Sequence, residues 1–260
     1  MSQALTAMDA VRHASVMTRR NIAQFRNDPG LILDATLTPV LISVIFVSVF
    51  GGAIAGGTAD YAQFFVPGIM AINLMIVSRN TGVGMAVDFN SGVVDRFRTL
   101  PVARSALLSG RVAADALRML LSLVVILACS TLIGFRIGGG LAGAAAAVAL
   151  LLAFGVALSW IAVCIGVSVR SITTVSTLTS LWVLPFQFGS SALVPTEGMP
   201  AWLRVFADVN PVTLVVNASR GLLDGRAAAG PIAGALAWIA VILVVFVPIS
   251  VTQYTRRGHH

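Results

Sequence analysis

The chain has 260 residues, 57% of them hydrophobic and 10% charged, with a formal net charge of +7. Soluble domains average roughly 25% charged and 45–50% apolar residues, so this chain has too little polar surface to cover a water-soluble globule of its size. All 17 basic residues are Arg; a Walker A loop needs a Lys to reach the nucleotide phosphates, which excludes a standard P-loop and assigns any ATP chemistry to another polypeptide.

Residues 4–27 read as a basic amphipathic helix suited to the membrane interface, with Leu5, Met8, Val11, Ile22 and Phe25 near one side and Arg12, Arg19 and Arg26 elsewhere. Asp28-Pro29-Gly30 breaks it. No cleavable signal peptide is expected, because no apolar core precedes Leu31. Six apolar runs then predict an all-α polytopic membrane protein with spans at about 31–54, 64–87, 112–135, 141–169, 172–194 and 231–252. Between them lie a Gly-rich linker over 55–63, a polar segment over 88–111, tight turns after Phe135 and Val169, and a long interruption over 195–230.

Six spans place both ends on one side. The N-terminal segment, the 88–111 segment, Arg170 and the tail together carry eleven arginines, against Arg136, Arg204, Arg220 and Arg226 on the other side. The excess marks the first group as cytoplasmic, giving a multi-pass protein of the bacterial cytoplasmic membrane with both termini inside. The arginines are scattered beside spans, where they meet anionic lipid, and do not point to nucleic acid.

The 88–111 segment divides at Pro101. Upstream, Val93, Val94, Phe97 and Leu100 interleave with Asp95, Arg96 and Arg98; downstream, Arg104 precedes a second helical start. A solvated loop has no need of interleaved Phe97 and Leu100. A lever docked into a partner's groove does, with apolar anchors and charges that set register.

Four charges fall within or at the ends of spans: Asp34, Arg79, Asp115 and Arg118. An uncompensated charge near mid-bilayer costs about 2.5–3.5 kcal/mol on insertion scales. Mutual pairing is expected, as an inner charge cluster; snorkelling to the interface is the competing reading for Asp34 and Asp115.

The fifth span is rich in hydroxyls, among them Thr173, Thr177 and Ser180. These either satisfy themselves on backbone carbonyls one turn back or face a partner chain or path. Gly143/Ala147 and Gly155/Ser159 permit close helix approach. The 195–230 segment holds Pro195, Pro200 and Pro211 around Trp202, Leu203, Val205 and Phe206, too apolar for a free loop and too broken to span, so it reads as short external helices in or dipping into the interface. Cys129 and Cys164 read as small buried hydrophobes, with no disulfide framework. No catalytic motif or metal-ligand spacing is found, and no cofactor bound by this chain is expected.

The run from Gly92 to Arg104, followed by Gly110-Arg111 and Asp115, resembles the cytoplasmic loop of type-2 ABC exporter permeases, the ABC-2 family, and its daunorubicin-resistance branch in particular. Phe65-Val66-Pro67-Gly68, Asn210-Pro211 and Arg220-Gly221-Leu222 fit the same pattern, so the resemblance covers essentially the whole chain. Family members often carry Glu where this chain has Asp95.

The resemblance implies that Val94, Asp95, Arg96, Phe97, Arg98, Leu100, Pro101 and Arg104 form a coupling helix on a separate ATP-binding subunit, which the N-terminal helix also touches. It implies two ATPase copies that hold ATP and Mg, and a second permease chain as homodimer or heterodimer. It places the second and fifth spans around the path, with Phe186, Gln187 and Phe188 at its outer part, and re-entrant helices capping the exit. The expected function is the membrane subunit of an exporter of a hydrophobic drug, antibiotic or lipid. An ion-coupled secondary transporter and a membrane-embedded lipid-processing enzyme are the alternatives; the first wants a mid-bilayer acid in symmetric halves, the second a nucleophile–base pair or metal site.

Overall fold

A computed structural model describes the backbone of residues 29–54, 58–91 and 104–256, and the side chains of 37–49, 60–91 and 108–255. The expected interfacial helix over 4–27 and the coupling residues from Val94 to Pro101 lie outside the described residues. Among the described residues every regular element is helical: α1 (Pro29–Ile54), α2 (Thr58–Asn90), α3 (Arg104–Leu132), α4 (Gly140–Ser168), α5 (Ile172–Phe188), a 3-10 turn (Thr196–Gly198), α6 (Ala201–Val209), α7 (Pro211–Asp224) and α8 (Ala229–Arg256).

Four stretches are long and apolar enough to cross a membrane: Asp60–Asn90, Leu108–Leu132, Gly140–Ser168 and Ala229–Thr255. In α1 the described side chains Leu37–Val49 form a shorter apolar stretch. α2 and α4 form the centre of the bundle. α1, α3 and α5 pack on α2, while α7 and α8 pack on α4. The most apolar window of α2 is 83% buried, against 17% for α8. α2 is thus enclosed by protein, and α8 turns most of its apolar surface outward, as a lipid-facing helix must.

Small residues set the α2–α4 distance. A Cβ on Gly82 would lie 2.6 Å from the Ala162 carbonyl oxygen, and one on Gly166 would lie 2.5 Å from that of Gly82. Gly155 meets Leu74 and Met119 in the same way, and Gly143 meets the Leu222 carbonyl of α7. Both small-residue pairs therefore serve packing within the chain. Phe65, Met70, Leu74, Met75, Met119, Leu123, Leu151 and Phe154 fill the core between these helices.

Three boundaries differ from the sequence expectation by six residues or more. α2 starts at Thr58 rather than at 64, with Asp60 in its first turn, where a carboxylate suits the helix dipole. α3 starts at Arg104 rather than at 112, so the downstream part of the polar segment is helical. α5 stops at Phe188 rather than at 194. Its 17 residues reach about 25 Å, short of the ~30 Å hydrocarbon. The stop has a local cause. The Asn210 amide donates to the carbonyls of Phe186 (2.9 Å) and Gly189 (2.7 Å), capping the helix end, while the Phe206 ring leaves no room for a Cβ on Gly189.

Candidate functional site

The helix ends collect into two groups. At one end Asn90 Nδ2 donates to the Arg170 carbonyl (3.0 Å) and Phe89 lies against Tyr254, so the end of α2, the link before α5 and the end of α8 meet there. At the other end Gln63 exchanges two hydrogen bonds with the Arg136 backbone, at 2.8 and 3.0 Å, and Gly139 N donates to the Leu223 carbonyl (2.8 Å).

From the first end a polar seam enters the bundle between α2 and α3. Arg111, Asp115 and Arg118 follow one another at i, i+4 and i+7 and so share a face of α3. Arg111 pairs with Asp88, at the end of α2. It also lies 3.9 Å from Asp115, whose other oxygen is 3.6 Å from Arg118. Gly84 makes the first pairing possible, because a Cβ there would lie 1.9 Å from the Arg111 guanidinium. Asp115 is 3% exposed, and Thr81 of α2 faces it. Further in, Asn73 Nδ2 donates to Ser122 Oγ (2.5 Å). The distances around Asp115 exceed the 2.7–2.9 Å of a charge-assisted hydrogen bond. Arg111 Nε and Asp115 Oδ2 are buried with no hydrogen-bond partner among the described residues. The seam is electrically balanced, tight at the Arg111–Asp88 pair and longer in its ion-pair contacts around Asp115.

At its inner end the seam meets a cavity of about 300 Å³ lined by α1, α2 and α5, with Arg118 of α3. Its walls are apolar, with Phe46, Phe65 and Phe188 among aliphatic side chains. Asn73, Asn80, Gln187, Thr38 and Arg118 are its polar lining residues. The size and the few convergent polar groups suit a ligand pocket.

Of the four expected charges, Asp115 and Arg118 meet directly. Arg79 is half-buried on α2 and its Nε has no hydrogen-bond partner among the described residues. Asp34 sits in the first part of α1, with its side chain outside the described set. Asp88 and Arg111 escaped the sequence reading because both looked like loop residues. The i, i+4, i+7 spacing of Arg111, Asp115 and Arg118 was the available signal.

Gln187 and Phe188 line the cavity, while Phe186 points away into an aromatic cluster with Trp182 and Phe206. Thr173 and Thr177 are exposed. Thr177 donates to the Thr173 carbonyl (3.0 Å) and Ser180 to the Ser176 carbonyl (2.9 Å), which satisfies both hydroxyls within α5. Cys129 and Cys164 are free thiols in α3 and α4.

At the opposite end the family-like motifs assemble into one cap. Asn210 Oδ1 accepts from Val212 N, so one side chain caps α7 while closing α5. Arg220 is anchored on every side. It donates to the carbonyls of Phe64 (3.0 Å) and Ser191 (2.7 Å) and to Asn217 Oδ1 (2.9 Å), and its guanidinium lies 3.8 Å over the Phe64 ring. Gly68 lets the Ala192 carbonyl approach to within 1.9 Å of where a Cβ would be. α7 ends at Gly225 in the left-handed region, with φ 73°.

Residues 12–223 match the model of the ABC-2 type transporter family. The chain is 33% identical over 241 residues to the daunorubicin resistance ABC transporter permease protein DrrB1 of Streptomyces coeruleorubidus, covering 93% of this chain and 85% of the relative. It is 25% identical over 252 residues to the probable doxorubicin resistance ABC transporter permease protein DrrC of Mycobacterium tuberculosis, covering 96% and 91%. It is 24% identical over 234 residues to the putative transport permease ycf38 of Cyanophora paradoxa, covering 85% and 77%. A multi-pass helical bundle with this breadth of similarity leaves one assignment: the chain belongs to the ABC-2 type transporter family.

Proposed function

We propose that this permease moves a hydrophobic drug, antibiotic or lipid out of the cell, driven by ATP that two copies of a separate ATPase subunit bind with Mg and hydrolyse. A second permease chain, identical or related, completes the path. The end of the bundle that holds Asp88, Arg170 and Tyr254 faces the cytoplasm, and the cap around Arg220 faces outward, with α6 and α7 as its re-entrant helices. The N-terminal 4–27 segment and the 92–104 lever dock on the ATPase.

One observation carries the reading: a continuous polar seam runs from the root of the lever to the cavity wall. Asp88 and Arg111 stand where α2 and α3 enter and leave the 92–103 stretch, and Arg118 lines the cavity. ATP closes the ATPase pair and pushes the lever. The roots of α2 and α3 shift, the long contacts around Asp115 exchange partners, and the cavity changes its side of access. ATP binding thereby biases a two-state equilibrium in the permease.

The test uses the permease with its ATPase in proteoliposomes. Asp95→Arg combined with Phe97→Ala should abolish ATP-dependent export while the permease remains in the membrane at its normal level. Undiminished export, or export by the permease without an ATPase, overturns the proposal.

A further inference from the structure

The cavity's chemistry says more about its cargo than the bundle does. Its body is apolar and partly aromatic, through Phe46, Phe65 and Phe188, with Ile69, Ile72 and Ile76 between them. Its one charged lining residue among the described residues is Arg118, 18% exposed as a side chain. Arg118 is paired with Asp115, but the pair is oriented. The carboxylate lies in the seam between α2 and α3, 5% exposed, and Asp115 does not line the cavity, whereas Arg118 does. A ligand therefore meets the cationic end of the pair. Beside it stand the side-chain amides of Asn80 and Gln187, whose N–H groups add donors, while that of Asn73 already donates to Ser122.

We propose that this cavity takes an anionic amphiphile, with its ring or chain against the phenylalanines and its acid group on Arg118, and that it discriminates against amines. Arginine presents a planar fork that matches a carboxylate or phosphate in two parallel hydrogen bonds. An ammonium group in the same place would be desolvated beside a like charge, which is costly in an apolar wall. The inference rests on reading the cavity as part of the transport path.

The experiment uses the full-length permease in nanodiscs of zwitterionic lipid and two probes: a dansyl-labelled fatty acid and a dansyl-labelled amine of the same chain length. Ile76→Trp, at a half-exposed cavity wall, fills the space and defines specific binding for both probes. The acid should bind about tenfold more tightly than the amine near neutral pH. Arg118→Gln should remove that preference by weakening the acid alone, and Arg118→Lys should restore part of it. Equal or tighter binding of the amine, or an acid preference that survives Arg118→Gln, overturns the proposal. An amine preference that Asp34→Asn abolishes also overturns it and names Asp34, a turn before the cavity residue Thr38, as the selecting group. If Ile76→Trp blocks both probes but the acid is not preferred, the charge inference fails and the path reading stands. If it blocks neither, both fail.

Discussion

The two ends of the bundle are held by the same residue types in opposite ways. At the capped end Arg220 is saturated: each of its nitrogens donates within hydrogen-bond distance and the guanidinium plane rests on Phe64. At the seam end Arg111 and Arg118 share Asp115 at 3.9 and 3.6 Å, and Arg111 Nε and Asp115 Oδ2 are buried with no hydrogen-bond partner among the described residues. A saturated arginine has one good arrangement and resists change. A shared carboxylate has several of similar energy and exchanges between them. The first geometry suits a fixed cap; the proposed coupling needs the second to act as a hinge that a push can reset. The comparison breaks if substitutions at the cap alter coupling more than stability, or if those at the seam do the reverse.

The largest effect is expected at Arg220. Arg220→Met keeps the apolar stem but strips partners from the carbonyls of Phe64 and Ser191 and removes the ring contact. The loss is about 3–5 kcal/mol, a fall in midpoint of about 10 °C. Thermal unfolding of the permease in detergent, followed by size exclusion, measures it. A midpoint within about 2 °C of wild type would show that the cap does not hold this end.

Gly68→Ala comes next. Its methyl group meets the Ala192 carbonyl, a backbone atom with no rotamer to retreat to. Overpacking of this kind costs about 1–3 kcal/mol. The same melting measurement reads it, and the ATPase stimulation per folded permease should be unchanged.

What the sequence made legible follows from what is local in each feature. Hydropathy and length located the helices, because each must bury or expose apolar surface over its own length. The end of α5 was not legible, since Asn210 and Phe206, both later in the chain, stop it at Phe188. Arg220 read as an external arginine although α7 buries its apolar face through Val212, Val215, Val216 and Leu223; that periodicity was the missed signal. Phe186 and Phe188 read together at the outer part of the path. Two helical residues two apart stand about 200° around the axis, so they face opposite sides, as the aromatic cluster and the cavity confirm. The pairing of Arg111 with Asp88 depends on a glycine gap between two helices, which no single helix pattern displays.

At the seam end, Asp88→Asn should cost little stability, within about 1 kcal/mol for a partly exposed pair. Its effect should appear in function. ATP-dependent export should fall about five- to tenfold, the size of an ordinary coupling free energy. Basal hydrolysis by the ATPase alone is the internal control. A variant that melts early and still exports at the wild-type rate would place Asp88 among the structural residues and erase the contrast between the ends.

The smallest effect, and the sharpest discriminator, is Gly84→Ala. The new methyl group displaces the far end of Arg111, a flexible side chain, so the backbone need not move and stability should change by less than about 1 kcal/mol. The guanidinium must leave Asp88, which repeats the loss made by Asp88→Asn without touching a charge. Export should fall about two- to threefold, the range for a substitution that shifts coupling indirectly. The double variant should then export no worse than Asp88→Asn alone, because both changes remove one contact and their effects do not add. Full additivity in that cycle would mean that Gly84 acts through something other than the Arg111–Asp88 pair, and the hinge would have to be sought elsewhere on α3.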